Sequence, residues 1–180
     1  MSCETELERV NYFQGQLLSA SDLLVEQEYF LARLRRHNRY MHGWGVVSGL
    51  TVTTETSTTI VVEPGFAIDC FGNEIHVCTQ VRLPVQRVAD TQFVVIRFSE
   101  TKTSPTPLAS DATTPSTDEV AYSRIREGFH IEVVGTDPTS NHRGKGTGTP
   151  GCGCLHQFCI ARLSKTSRSW KVEQRSRRRA

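Results

Sequence analysis

The alternation of apolar and polar residues changes its period at Gly43. Between residues 20 and 41 no Gly or Pro interrupts the chain, and Leu23, Phe30, Leu34, His37 and Met41 recur near one stripe, widened by Leu24 and Leu31. That recurrence predicts an amphipathic helix. Ser19 or Ser21 can cap its start, with Asp22 and Glu26 close behind. Arg33, Arg35, Arg36 and Arg39 crowd the far end, so each charge sits where the helix dipole favours it. Gly43 supplies the C-terminal stop. Upstream, residues 10–18 are aromatic and apolar, including Tyr12 and Phe13, and Gly15 permits a turn.

Beyond Gly43 the period is that of strands. Short β-rich runs include Val46 and Val47, residues 50–53 and residues 60–63, followed by a Pro64-Gly65 turn. Residues 66–69 and 74–77 flank Phe71-Gly72-Asn73 and read as a hairpin. Strict alternation there sets Phe66, Ile68, Ile75 and Val77 on one side and Asp69, Glu74 and His76 on the other. Further strands are expected at 81–85, 92–98, 129–134 and 158–163, with a short one at 170–173. Residues 101–118 (Thr, Ser, Pro) and 136–151 (Gly, Thr, Asn) read as long loops. The expected fold is α+β, mostly β. An N-terminal segment and helix (1–43) precede a compact antiparallel β domain (44–174), and a basic, solvated tail (175–180) follows.

With 180 residues, 37% of them hydrophobic and 22% charged, the chain has material for one substantial core. A net charge of +2 gives no general attraction for nucleic acid. No apolar run reaches the length that spans a bilayer, so membrane insertion is not expected. The acidic N-terminus lacks the pattern of a secretory signal, which implies synthesis in the cytoplasm.

The strongest chemical signal is Cys152-Gly-Cys154-Leu-His156-Gln-Phe-Cys159, part of a chain with six cysteines. Three thiols and an imidazole this close offer Zn²⁺ four ligands, provided Gly151 and Gly153 bend the backbone, since alternate strand residues face opposite ways. Cys70 or Cys78 from the hairpin can complete a fuller site. Disulfides and ordinary free thiols stay open beside zinc. His37 and His42, five positions apart, lie too far round an α-helix to share a ligand face. Asp69, Glu74 and His76 invite an acid–base reading, against which stands the plain one of outward polar residues. No nucleophile elbow, phosphate loop or dinucleotide fingerprint is present, and no catalytic residue is assigned. At the helix exit, His42-Gly43-Trp44-Gly45 permits an abrupt turn, and Trp44 is expected to plug the junction of helix and sheet.

Several strings together resemble a known domain. They are Asn11-Tyr12-Phe13-Gln14-Gly15-Gln16-Leu17-Leu18, then His37-Asn38-Arg39-Tyr40-Met41-His42-Gly43-Trp44-Gly45-Val46-Val47, then Pro64-Gly65-Phe66-Ala67-Ile68-Asp69. The domain occurs in tail-fibre and baseplate-associated proteins of bacteriophages and of bacterial contractile injection systems. The resemblance implies a structural or adaptor subunit of a phage-tail-like particle, near the baseplate or fibre root. Its partners would be other tail subunits and copies of itself, and action outside the cell is open to it. The Tyr12, Phe13 and His42-to-Gly45 residues would then serve assembly. Two other classes are kept: a self-assembling fibre or surface-binding subunit, and a small metalloenzyme built on the Cys/His cluster.

Overall fold

The computed structural model describes residues 6–107, 120–141 and 156–176. Helix α1 (Ala20–His37) continues directly into a π-helical turn, Asn38–His42. Ten strands follow: β1 (Gly45–Gly49), β2 (Val52–Thr54), β3 (Thr59–Val62), β4 (Gly65–Ile68), β5 (Glu74–Val77), β6 (Val81–Pro84), β7 (Thr91–Pro107), β8 (Val120–Val134), β9 (Phe158–Lys165) and β10 (Trp170–Gln174). A short 3₁₀ turn, Pro138–Asn141, lies between β8 and β9. This is the expected α+β, mostly β architecture, with one N-terminal helix.

The strands form three antiparallel sheets, ordered β1-β4-β5, β2-β3-β6 and β10-β9-β7-β8. A single core joins them. Val46, Ile60, Ile75, Ile96, Phe158 and Leu163 are all buried within it, and Trp44 packs against its edge. Burying a side chain of this size contributes about 1.5–3 kcal/mol each, so the fold's stability resides in this β body.

Two segments depart from the sequence expectation. Residues 101–107, expected as loop, belong to β7 and pair with β8 from Arg126 back to Val120. Thr suits a half-solvated pleated surface, and an antiparallel partner satisfies its backbone. Among the described residues β7 pairs over this stretch with β8 alone, and an edge without a second ladder tolerates Pro105. Residues 108–119 and most of the 136–151 stretch lie outside the described residues. Finally, Arg175 and Ser176 are no free tail. Arg175 N–H donates to the Ile160 carbonyl at 2.7 Å, and the Ser176 carbonyl accepts from Val46 N–H at 2.8 Å, closing β1 against the body.

The hairpin of β4 and β5 also differs in its faces. Phe66 pairs with His76 and Ile68 with Glu74, while Ala67 pairs with Ile75. Paired residues share a face, so Phe66 and Ile68 lie with the polar residues rather than with Ile75 and Val77. The tight turn sets this register, and a slip of one position exchanges every face.

Candidate functional site

The helix start is built locally. Ser19 Oγ accepts from Asp22 N–H at 3.2 Å and Asp22 Oδ2 accepts from Ser19 N–H at 2.8 Å, a capping box. The Ser19 hydroxyl also donates to Asp22 Oδ2 at 2.6 Å, and this bond, with the one from Ser19 N–H, holds the Asp22 carboxyl below its usual value. Upstream, Gly15 turns the chain at φ 87°, and Gln16 N–H reaches the Phe13 carbonyl at 3.2 Å. Tyr12 and Phe13 themselves are exposed.

No residue of α1 is buried. Leu23, Leu24, Phe30, Leu31 and Leu34 remain 37–58% exposed, and Leu17 just before the helix is 94% exposed. An apolar stripe of this length in water is unfavourable unless something covers it.

What holds the helix is its C-terminal end. Arg35 Nε donates to Asn73 Oδ1 at 2.7 Å, and Arg35 Nη2 lies 3.7 Å from the Glu100 carboxylate. Asn38 Nδ2 donates to the Gly72 carbonyl at 3.0 Å, and Arg39 Nη1 to the Phe71 carbonyl at 3.1 Å. Both guanidinium groups stand over the Phe71 ring, at 5.0 Å and 5.8 Å. The hairpin turn meets Arg35 so closely that a Cβ on Gly72 would come 2.3 Å from the Arg35 carbonyl oxygen, and Gly72 sits at φ 96°.

This clamp was not foreseen. Arg35 and Arg39 read as dipole-complementing surface charge. The available signal was an aromatic residue in a Gly-Asn turn together with an arginine-rich helix end.

Asp69 is likewise no outward acid–base group. It is fully buried and shapes the turn: Oδ1 accepts from Phe71 N–H and Asn73 N–H, both at 2.9 Å, and Oδ2 accepts from Asn73 Nδ2 at 2.8 Å. Burial raises its carboxyl above the ordinary range, against the pull of those hydrogen bonds.

At the exit, Gly43 takes φ 67° and Gly45 φ 124°, and both are buried. Trp44 lies with its ring 5.7 Å from that of Phe158, against the core as a junction plug would. His42 is exposed, and its ring meets that of His37 edge to face at 5.2 Å. The two histidines therefore do share a face, contrary to the α-helical expectation. The π turn bonds residues five apart and brings side chains at that spacing together.

The cysteine cluster divides. Cys152 and Cys154 lie outside the described residues. His156, at φ 54°, stacks on Phe71 at 5.0 Å and sets its Nδ1 3.1 Å from the Cys70 sulfur. Cys159 is buried on β9, where its thiol donates to the Ala161 carbonyl at 3.2 Å. Burial pushes that thiol up to about 12. Cys70, Cys78 and Cys159 are not in disulfides. Among the described residues no three metal-ligating side chains come together. No helix among them is long and apolar enough to cross a membrane.

No protein-family model and no curated protein matches the sequence. Solved structures do resemble it, two of them baseplate-related. One is a chain of a type VI secretion system TssK-TssF-TssG baseplate subcomplex, at a TM-score of 0.52 and 12% identity over 95% of this chain. The other is the crystal structure of TssK, at a TM-score of 0.47 and 11% identity over 93% of this chain. This chain spans 61% of the first neighbour's length and 41% of the second's. The likeness to the first is one of fold.

Proposed function

We propose that this protein is a structural subunit of a baseplate-like assembly in a contractile, phage-tail-like particle, acting through contacts with other subunits rather than through catalysis. The observation that carries this reading is the solvent-exposed apolar stripe of α1, mounted on a clamped junction. A helix anchored by its end and apolar along its length is shaped to be covered by another chain. The N-terminal Tyr12 and Phe13 extend the same exposed apolar region of the sequence. The fold shared with a chain of a secretion baseplate subcomplex supports this reading, as do the residue strings that resemble tail-associated domains.

The test is reconstitution with the tube, sheath and baseplate proteins of the same particle, followed by electron microscopy. Density for this chain at the baseplate or fibre root is the expected outcome. A particle that assembles and functions fully without the chain, or a purified chain that turns over a small molecule, removes the proposal.

A further inference from the structure

Resting on that assembly reading, the charge pattern along α1 points to the occupant of its apolar face: we propose a second copy of this chain, with the two α1 helices antiparallel about a two-fold axis.

Leu23, Gln27, Phe30 and Leu34 follow the alternating four-and-three spacing of a helix–helix seam. Glu26 and Arg33 stand one heptad apart on the same flank of that seam. In a parallel pair, the flanking residue of one helix meets the opposite flank of the other. Glu26 would then face Leu31 and Arg33 would face Asn38, and neither charge finds a counterpart. In an antiparallel pair, like flanks meet. With Leu23 set against Leu34 of the second copy and Gln27 against Phe30, Glu26 comes opposite Arg33, and the axis makes the same pair a second time. The identical register places Leu24 against Leu31 on the other flank. One alignment thus satisfies the apolar seam and the charges together.

Two further observations agree. Glu26 Oε2 is shut away from solvent without any hydrogen bond, a costly state that rotation toward a guanidinium relieves. The C-terminal half of the stripe, at Leu31 and Leu34, borders a small groove walled by Phe98 and Glu127, which adds apolar surface beside the seam. At 1.5 Å per residue α1 is about 27 Å long, enough for several seam layers.

Sedimentation of the purified full chain over a concentration series tests the pairing, with circular dichroism confirming that each variant folds. A dimer is expected. Glu26→Arg alone and Arg33→Glu alone each set like charges face to face twice, and each raises the dimer dissociation constant roughly tenfold. The double variant restores it to within about threefold of the parent. A monomer at every concentration, a trimer, or a double variant no tighter than the singles overturns the pairing. A monomer that still enters the reconstituted particle overturns the pairing and leaves the assembly reading standing. A dimer that never enters the particle supports the pairing and removes the assembly reading.

Discussion

In the β body, apolar side chains from three sheets meet in one core and water is excluded; along α1, side chains of the same kind point into water. The contrast does not come from hydrophobicity alone, since Leu and Phe occur in both regions, although Val and Ile make up most of the core. It comes from what each region packs on. The body buries a core of its own within the chain and leaves only scattered apolar side chains such as Val47, Val88 and Ile125 exposed. The helix touches the body through arginine, asparagine and an aromatic turn, and leaves its stripe over. One region holds the fold together and the other leaves its apolar face uncovered.

The comparison breaks most visibly in the core. Phe158→Ala removes a fully buried ring and is expected to cost about 3–5 kcal/mol in urea unfolding. A loss under 1 kcal/mol would mean that the core at β9 is not packed as described. At the clamp, Gly72→Ala forces a Cβ toward the Arg35 carbonyl in a backbone conformation that side chains rarely adopt. A smaller loss of about 1–3 kcal/mol is expected, with faster amide exchange at the C-terminal end of α1. Unchanged exchange there would show that the turn does not hold the helix.

On the stripe the order reverses. Phe30→Ser is expected to leave monomer stability within about 0.5 kcal/mol, because the ring is already 58% exposed, while strongly reducing incorporation into the particle. A large drop in stability without any assembly defect would place Phe30 in an intramolecular core instead. The smallest effect concerns metal. We expect zinc titrated into the reduced chain to be held through Cys70 and His156, so that Cys70→Ser lowers the bound zinc and Cys159→Ser does not. Zinc uptake indifferent to Cys70 would rule out that pair.

Much of the fold was legible because periodicity is a local property. The capping serine, the helix, the glycine exit and the β4–β5 hairpin all follow from residues within a few positions of one another. Long-range pairing was not legible. Residues 101–107 looked like loop because their polar, Pro-containing composition carries no apolar alternation, and only the partner strand β8 makes them a strand. His37 and His42 were separated by assuming 3.6 residues per turn, which the π turn abolishes.

The sequence by itself determined that there would be one amphipathic helix, an abrupt glycine exit with Trp44 beside it, and an antiparallel β domain, since capping, period and turn chemistry act over neighbouring residues. Only the tertiary structure decided which apolar surface would be buried. It gave Asp69 to a turn, Cys70 to His156, and Arg35 and Arg39 to Phe71. The Cys70 and arginine contacts join residues far apart in the chain, and those of Arg35 and Arg39 fasten the helix by its end and leave most of its apolar stripe exposed.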